Sequence, residues 1–457
     1  MARDSYDVVI VGAGPAGMFA ALELARRSTL SIALLDQGMD LPHRVAERQE
    51  QKGHGSAALL HGFGGAGAFS DGKLGLSPEV GGRLPEILGR GETERLLAEA
   101  DRIWLEFGAP ETLYGADAEA VARLQARAVR CSLKLVEVPL RHVGTELLPV
   151  VLGGIREALL PRVDLRMGER AEEILAQEGQ VAGVRLADGR EIAARYVIVA
   201  PGRSGAAWLR DQARKRGLSL AQNPVDLGVR VEVAAPILEE LTSALYEFKL
   251  VYWSRVFDNA VRTFCVCPYG EVVTECVDDV VTVNGHSYAQ RRTPNTNFAL
   301  LVSSNFTEPF DDPIAYGLYI AKLANLLGDG VIVQRLTDLR QGRRSTAHRL
   351  AHSIVQPTLE TATPGDLSYV LPYRHLAALM EMLQAMEGLT PGIWEGHTLL
   401  YGVELKLYSQ RLKLTPELET EVRNLFACGD GAGATRSLAQ ASASGLAAAR
   451  AILARAT

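Results

Sequence analysis

The stretch covering residues 7–17, DVVIVGAGPAG, constrains the fold of this chain more than any other part of its sequence. A β-branched run at residues 8–11 passes directly into Gly12, Gly14 and Gly17, as a strand does when it enters a tight turn that opens a helix. Gly12 permits the turn, Gly14 lets the backbone approach a pyrophosphate, and Gly17 lets the helix pack closely on the strand. The stretch therefore predicts a dinucleotide bound at the N-terminus of a helix, where the macrodipole favours anions.

The residues that follow support this interpretation. From Pro15 the chain reads PAGMFAALELARR, with apolar residues at helical spacing along one face. Residues 31–35 (SIALL) then predict a second strand that ends at Asp36, about 20 residues past the glycines, where a ribose hydroxyl is usually held. The alternative is a glycine turn that binds no ligand.

Length and composition indicate a soluble globular protein of more than one ordinary domain. The chain has 457 residues, of which 47% are hydrophobic and 22% charged, so it can bury a substantial core. The net charge of −6 gives no reason to expect a nucleic-acid partner, although a local basic patch remains open. No signal peptide or integral membrane segment is readable at the amino terminus, so we expect a cytoplasmic location.

The cysteines point to neither a disulfide framework nor a structural metal. They are odd in number and lack paired CxxC spacing. The five are Cys131, Cys265, Cys267, Cys276 and Cys428.

Residues 54–75 form a glycine-rich segment, HGSAALLHGFGGAGAFSDGKLG. So many glycines make a regular helix or strand costly in backbone entropy, and the interleaved Phe63 and Phe69 argue against full exposure. We expect a loop that lines a ligand, and the alternative is a flexible surface loop.

The middle of the chain changes character twice. Residues 92–130 predict two helices that form a cap, and residues 144–160 predict another helix. Short strands at 163–165 and 170–175 precede a hairpin of strands 180–187 and 191–193, with its turn at Asp188 and Gly189. Residues 196–202 (YVIVAPG) then predict a strand buried in a parallel sheet. From residue 226 to about 392, period-two strands indicate a mainly antiparallel sheet.

The carboxy-terminal region repeats the opening pattern. Residues 424–428 (NLFAC) predict a strand, 429–433 (GDGAG) a glycine turn, and 440–453 a helix of small residues. We therefore expect an α/β fold in which a Rossmann-like domain is built from both chain ends and contains an inserted, mainly antiparallel α+β substrate domain. The predicted boundaries are 1–77, 145–222 and 396–457 for the cofactor domain, 78–144 for the helical cap, and 223–395 for the substrate domain.

These pieces together resemble the two-dinucleotide-fold FAD oxidoreductases of the glutathione-reductase structural class. The resemblance implies that GAGPAG with Asp36 binds the ADP half of FAD, and that Asp430 contacts the ribityl or pyrophosphate region. A closer resemblance is to poorly characterised FAD-dependent dehydrogenases that combine a GGAGTFSDGKL-like loop with a CxCPGG-like turn; this chain has GGAGAFSDGKL at 64–74 and CVCPYG at 265–270. It departs from that pattern at Tyr269, where glycine is usual, and after Gly433.

The predicted cofactor-binding residues lie in the two glycine turns, the glycine-rich segment and the ends of the predicted strands. They are Gly12, Ala13, Gly14, Pro15, Ala16, Gly17, Asp36, Arg44, Gly65, Gly67, Ser70, Asp71, Ala171, Ala200, Gly202, Gly429, Asp430 and Ala432.

Catalytic residues are harder to predict. Cys265 and Cys267 are tentative candidates, but i and i+2 on a regular strand stand roughly 6.6 Å apart, at the far edge of disulfide geometry. Inert thiols in a packed hairpin are the alternative, and a disulfide would need a bulge or the start of a turn. The basic segment 340–352 is either a solvated surface or an anion site. Residues 396–407 could present His397, Tyr401, Glu404 or Lys406 to the flavin, and the alternative is that each is core or surface structure.

The leading hypothesis is a flavoenzyme, a dehydrogenase or reductase that transfers a hydride between flavin N5 and a small organic substrate. No second nicotinamide domain is readable, so NAD(P)H would act as a transient donor, and a protein electron donor is also open. The alternatives are an NAD(P)H-dependent flavin monooxygenase and a redox-sensing or RNA-modification-associated flavoprotein.

Overall fold

A computed structural model describes residues 4–50, 60–277, 280–288, 291–304, 306, 309–310 and 312–456. The chain divides into two compact units. The first unit comprises residues 1–112, 141–223 and 408–457, and the second comprises residues 113–140 and 224–407.

Strands and helices are numbered separately, each in chain order. The strands are β1 (Ser5–Val11), β2 (Ile32–Asp36), β3 (Lys73–Gly75), β4 (Lys134–Val136), β5 (Leu140–His142), β6 (Val163–Met167), β7 (Ala171–Gln177), β8 (Gln180–Leu186), β9 (Glu191–Val199), β10 (Leu220–Ala221), β11 (Val225–Ala234), β12 (Lys249–Trp253), β13 (Ala260–Cys267), β14 (Glu271–Val277), β15 (Val280–His286), β16 (Asn295–Ser304), β17 (Ile332–Arg335), β18 (Thr363–Pro364), β19 (Leu399–Lys406), β20 (Arg411–Leu412) and β21 (Leu425–Ala427). The helices are α1 (Pro15–Arg27), α2 (Leu41–Glu50), α3 (Leu84–Leu88), α4 (Arg90–Glu106), α5 (Ala118–Arg130), α6 (Leu148–Leu159), α7 (Ala206–Lys215), α8 (Glu239–Leu245), α9 (Pro313–Gly328), α10 (Leu336–Arg340), α11 (Ala347–Ala351), α12 (Tyr373–Glu387) and α13 (Leu438–Ala456).

The central sheet of the first unit has the strand order β6-β2-β1-β9-β8-β7, and β21 also pairs with β9. β6, β2, β1, β9 and β21 run parallel, whereas β7 and β8 are antiparallel additions. The carboxyl ends of the parallel strands therefore lie at one edge, which is where open α/β sheets bind their ligands. This arrangement confirms the predicted α/β fold with a Rossmann-like domain built from both chain ends.

β9 links the two halves of this sheet. The sequence suggests separate strands at 191–193 and 196–202, but the structure has one continuous strand, Glu191–Val199. One edge of β9 pairs with β1 along its length. The other edge pairs first with β8 and then with β21, so the amino- and carboxy-terminal parts of the chain join on the same strand.

Helices α1 and α13 pack against each other through small residues. A Cβ atom at Gly445 would lie 2.0 Å from the carbonyl oxygen of Ala16, so only glycine allows this approach. α4 joins the same core, because the Trp104 ring is buried, lies 5.3 Å from the Phe19 ring, and donates from Nε1 to Ser442 Oγ at 3.2 Å.

The second unit is built on a mainly antiparallel sheet with the order β18-β17-β19-β11-β16-β13-β12-β4. Its central strand β11 is buried at every position except the last. The apolar side chains of Leu227, Val229 and Val231 lie on one face of β11 and belong to the core shared with α9 and α12. The alternate positions Arg230 and Glu232 are charged and equally buried, so this strand is covered on both faces.

The observed units differ from the predicted domain boundaries in two places. The predicted cap at 78–144 divides, because residues 78–112 belong to the first unit and 113–140 to the second. α5 packs into the second core through Val121 and Leu124. Residues 396–407 also lie in the second unit, because β19 pairs with β11 and β17.

Among the described residues, no helix combines the length and the apolar character that a membrane crossing requires.

Candidate functional site

The turn between β1 and α1 has the geometry that its glycines predict. Gly12 adopts a φ of +104°, and a Cβ atom there would lie 2.1 Å from the carbonyl oxygen of Ala200. A Cβ at Gly17 would lie 1.9 Å from the carbonyl oxygen of Gly12. Gly14 is the residue before α1, and a Cβ there would meet nothing closer than the Cα of Gly65 at 4.0 Å. At Gly12 and Gly17 a side chain would clash with the protein backbone, so both positions need glycine for folding. At Gly14 the protein instead leaves space beside the helix terminus.

Asp36 closes this turn from the end of β2. Its Oδ2 accepts a hydrogen bond from the Ala13 N–H at 2.9 Å. Its Oδ1 accepts from the N–H groups of Gly38 at 2.9 Å and Gly62 at 2.7 Å. A carboxylate has about four acceptor sites, so Oδ2 retains capacity for a ligand hydroxyl.

Arg44 holds the described part of the glycine-rich segment. Its buried guanidinium donates to the carbonyl of Phe63 and to that of Gly65 at 3.0 Å, and it lies 5.0 Å from the centre of the Phe69 ring. Burial lowers the pKa of Arg44 to about 10, which leaves it charged at neutral pH. The N–H of Gly64 donates to the carbonyl of Ala13 at 2.8 Å, so this segment lies directly on the β1–α1 turn. The predicted loop residues at 54–59 lie outside the described residues.

The remaining predicted residues of this segment are held by local contacts. Ser70 Oγ donates to the Gly67 carbonyl at 2.9 Å, and Asp71 pairs with Lys73 at 2.8 Å. A Cβ at Gly67 would lie 3.6 Å from Cγ of Pro15, which places the segment against the first turn of α1.

Ala171 begins β7, beyond the parallel part of the sheet. Two residues earlier, the N–H of Glu169 donates to the carbonyl of Asp36 at 2.9 Å. The segment leading into Ala171 therefore lies at the Asp36 end of the sheet.

The carboxy-terminal glycine turn lies against the same helix terminus. Gly429 has a φ of +74°, and a Cβ there would lie 3.1 Å from the Cβ of Ala16. A Cβ at Gly431 would lie 2.6 Å from the carbonyl oxygen of Gly202, next to the buried Ala432. A Cβ at Gly202 itself, with its φ of +63°, would meet no atom within 4 Å. The residues predicted from both chain ends are thus brought together at the ends of β1, β9 and β21.

Asp430 is the acidic group of this turn. It accepts a hydrogen bond from Thr435 Oγ1 at 2.7 Å. Burial raises the pKa of Asp430, while the charges of Arg203 and Arg436 act in the opposite direction. Its position makes it suitable for accepting a hydrogen bond from a ligand hydroxyl.

Sequence reasoning missed several residues near these groups. Ser204 Oγ and His61 Nδ1 lie 3.2 Å apart, and burial lowers the pKa of His61 despite the nearby Asp36. Thr435 and Arg436 follow the last glycine turn, where the chain departs from the family pattern. In the sequence, the only indication of this contact is a threonine five residues after Asp430. The hydrogen bond between the two side chains is visible only in the folded structure.

The donor set of the first unit fits FAD. The terminus of α1 offers backbone N–H groups and the positive end of a 13-residue helix for the pyrophosphate, beside the space at Gly14. Asp36 would hold the ribose of the ADP half, and Asp430 would contact the ribityl or pyrophosphate region. When bound, FAD supplies two-electron redox chemistry that amino-acid side chains lack.

A buried charged cluster occupies the second unit. Arg230 donates from Nε to Asn297 Oδ1 at 2.8 Å, and its Nη1 lies 3.6 Å from the Glu404 carboxylate. Lys406 pairs with the same carboxylate at 2.9 Å. Burial lowers the pKa of Arg230, but Glu404 and the sulfurs of Cys265 and Cys267 raise it above its ordinary value. The predicted cysteine pair therefore lies beside a buried guanidinium.

Tyr269, which replaces the usual glycine, has a left-handed φ of +50°. This conformation costs most residues about 1 kcal/mol or more. Its hydroxyl donates to Glu239 at 2.8 Å, and Arg292 lies 4.8 Å from the centre of its ring. These contacts offset the strain that a glycine would avoid.

Two arginines of the basic segment, Arg340 and Arg343, contact other protein groups. Arg343 pairs with the buried Asp338 at 2.9 Å, and Arg335 pairs with the same carboxylate at 3.0 Å. Arg340 lies 4.5 Å from the centre of the Trp394 ring. These contacts give Arg340 and Arg343 structural partners within the protein. His397 Nδ1 likewise accepts from the Ile354 N–H at 3.1 Å.

Two family models match the chain. Residues 227–406 match the family described as "FAD-dependent protein, C-terminal domain-like", and residues 7–41 match the "FAD binding domain" family. The first match falls within the second unit, and the second covers β1, the glycine turn, α1 and β2.

The chain is also similar to individual proteins. An uncharacterized protein from Clostridium beijerinckii is 27% identical over 470 aligned residues, which cover 96% of this chain and 79% of the relative. The solved structure of 3-ketosteroid-delta4-(5alpha)-dehydrogenase from Rhodococcus jostii RHA1 is 14% identical, with 98% of this chain and 97% of that chain covered and a TM-score of 0.45. Glycine oxidase from Geobacillus kaustophilus is 14% identical, with 99% and 95% covered and a TM-score of 0.39.

The matched FAD-binding segment includes the glycine turn before α1 and the Asp36 carboxylate at the end of β2. The family match in the second unit joins it to a domain that occurs in FAD-dependent proteins. The chain is therefore a flavoprotein and an FAD-dependent oxidoreductase that carries an FAD-binding domain, and its second unit matches the C-terminal-like domain of FAD-dependent proteins.

Proposed function

We propose that this oxidoreductase is a dehydrogenase or reductase that transfers a hydride between flavin N5 and a small organic substrate. The proposal rests on one observation: the nucleotide-binding type of turn is found in the first unit, whereas the second unit has a different kind of sheet. Within the described residues, the strand–glycine turn–helix arrangement occurs at β1–α1 and at β21–α13, and both belong to the first unit. The second unit has a mainly antiparallel sheet, whose one parallel pair among the described strands is the short β17–β18.

This arrangement supports one resident nucleotide, the FAD. A second, dedicated nicotinamide domain would need its own parallel sheet and phosphate-binding turn. NAD(P)H, if it is the electron donor, would then bind only transiently. The second unit, matched to a domain of FAD-dependent proteins, is the proposed substrate-binding domain.

The protein's own residues hold and orient the cofactor. Backbone N–H groups at the start of α1 would hold the pyrophosphate, and Asp36, which already accepts from the N–H groups of Gly38 and Gly62, would hold a ribose hydroxyl. Arg44 keeps that loop closed on the turn through the Gly65 carbonyl. These residues would position the cofactor, and the redox chemistry would be that of the bound FAD.

Anaerobic reduction of the bound flavin tests the reaction class. The purified protein, loaded with FAD, is mixed without oxygen with NADH, NADPH, and sets of amino acids, hydroxy acids and alcohols, while absorbance near ~450 nm is followed. We expect bleaching by an organic donor, slowed when the donated hydrogen is replaced by deuterium. NAD(P)H-driven bleaching followed by oxygen-dependent hydroxylation would instead establish a monooxygenase. Free FAD released by heating the same sample is the control for non-enzymatic bleaching.

A further inference from the structure

The cysteine pair of the second unit lies on an irregular strand. In β13, Phe264 pairs with Ala299 and Cys267 pairs with Asn297, so Cys265 and Val266 together stand opposite one residue, Phe298. This is a β-bulge, a feature that redirects side chains and occurs often next to active sites. Cys265 also has a left-handed φ of +46°, which is uncommon for a residue with a side chain. The regular spacing that argues against a disulfide therefore does not apply to these two residues.

The bulge brings the two sulfurs together. All five cysteines of the chain are present as thiols. The Sγ atoms of Cys265 and Cys267 lie within 4.8 Å of each other. Forming a disulfide would shorten this separation to an S–S distance of about 2.05 Å.

A buried cation contacts one sulfur directly. Nη2 of Arg230 donates to Cys267 Sγ at 3.1 Å and to the Cys265 carbonyl at 2.7 Å. Arg230 is fully buried, and a Cβ at Gly285 would lie 2.0 Å from the same Nη2, so the guanidinium is packed in place. A fixed positive charge beside a thiol stabilises the thiolate, which is the nucleophilic form.

A second buried cation shares the carboxylate that pairs with Arg230. Lys406 is held by Glu404 at 2.9 Å and by Glu275 at 3.8 Å. Burial lowers the pKa of Lys406, whereas Glu404, Glu275 and the sulfur of Cys265 raise it. One carboxylate, Glu404, therefore pairs with both cations.

We propose that Cys265 and Cys267 form a redox-active dithiol that exchanges with low-molecular-weight disulfides. Cys265, which is partly exposed, attacks one sulfur of the disulfide and releases one thiol. Cys267, which is buried, then attacks the Cys265 sulfur of the mixed disulfide and releases the second thiol. The two protein thiols lose two electrons in forming one S–S bond, the substrate disulfide gains them, and the two thiol protons end on the released thiols. This activity uses no flavin and goes beyond the proposed hydride transfer.

Thiol counting on the FAD-loaded full chain tests the proposal. The protein is incubated with oxidised glutathione, quenched in acid, alkylated with N-ethylmaleimide and analysed by intact mass and peptide mapping. We expect loss of two alkylatable thiols at Cys265 and Cys267, and their recovery with excess reduced glutathione. The Cys267→Ser variant should trap one glutathione on Cys265, and Cys265→Ser should react at neither position.

A matched control is Cys276→Ser, which removes an exposed cysteine outside the pair and should leave the two-thiol loss unchanged. Retained flavin absorbance shows that each variant is folded. Five alkylatable thiols after incubation with oxidised glutathione would overturn the proposal, as would a two-thiol loss that persists in the Cys265→Ser, Cys267→Ser double variant.

Discussion

At the scale of single residues, the glycines of the first turn have separable functions. Gly12 and Gly17 are required by contacts with protein backbone, whereas Gly14 borders space that the protein leaves open. Asp36 combines the two kinds of role, since it holds three backbone N–H groups and retains an acceptor for a ligand. The GxGxxG pattern therefore encodes both folding and cofactor binding.

Substitution of two of these glycines separates the roles. Gly12→Ala places a Cβ 2.1 Å from a carbonyl oxygen at a φ of +104°, and it should lower the free energy of unfolding of the FAD-free protein by about 2 kcal/mol or more. Gly14→Ala should cost the FAD-free protein less than about 1 kcal/mol, yet weaken FAD binding, because its Cβ enters the pyrophosphate space. Denaturant unfolding and FAD titration measure the two effects. Equal FAD affinity in Gly14→Ala and the unmodified protein would contradict this assignment.

At the scale of elements, close helix packing supports the cofactor site. α1 and α13 each follow a glycine turn, and Gly445 allows their backbones to approach. The two helices fix the relative position of the turns at Gly14 and Gly429, which the FAD would contact together.

Two helix-interior glycines make this packing testable. Gly445→Ala should destabilise the protein by about 1–3 kcal/mol, because its Cβ would lie 2.0 Å from the Ala16 carbonyl oxygen. Gly153→Ala, in α6, meets nothing within 4 Å and should be neutral or stabilising by up to about 1 kcal/mol through helix propensity. Thermal and denaturant unfolding of both variants measure the difference, and changes of the same sign would contradict the proposed packing constraint.

The contact between α12 and β16 predicts a pH dependence of stability. The buried His375 has Nε2 at 2.9 Å from Ser304 Oγ, and burial lowers its pKa to about 4. The unfolded chain, with a histidine pKa of about 6.5, binds the proton first as the pH falls. The buried neutral ring therefore contributes fully to the free energy of unfolding above pH ~6.5. Up to about 3 kcal/mol of that free energy is lost as the pH falls toward ~4.

His375→Gln removes this titration and keeps a polar side chain opposite Ser304. Unfolding free energies of the variant and the unmodified protein, measured from pH ~7 to ~4, should converge as the pH falls, because only the unmodified protein loses the histidine contribution. Parallel curves would show that His375 is not buried in its neutral form.

At the scale of the whole molecule, a discontinuous unit carries the cofactor site and a separate unit carries the charged cluster and the cysteine pair. The first unit contains segments from both ends of the chain, so it can fold completely only after residues 408–457 have packed against residues 1–112. Cofactor binding should therefore stabilise segments that are far apart in sequence.

Hydrogen exchange with and without FAD tests this expectation. A ligand at 100 times its Kd stabilises the bound state by about 2.7 kcal/mol. We expect slower exchange in β1, α1, β21 and α13, at both ends of the chain. Protection gained only within residues 224–407 would contradict placement of FAD in the first unit.

The sequence alone determined the parts of this protein that depend on local chemistry. The strand, glycine turn and helix at each chain end, Asp36 after β2 and the antiparallel character of the second unit were all predictable, since each follows from periodicity, turn chemistry or motif spacing. The family resemblance added the cofactor.

Only the tertiary structure decided which distant residues share an environment. It divided the predicted cap between the two units, made β9 one strand with two successive partners, and paired Thr435 with Asp430. It also placed a bulge at Cys265, beside the buried Arg230. Strand register and the burial of charged groups depend on contacts between residues far apart in the chain, which no local pattern of a single sequence specifies.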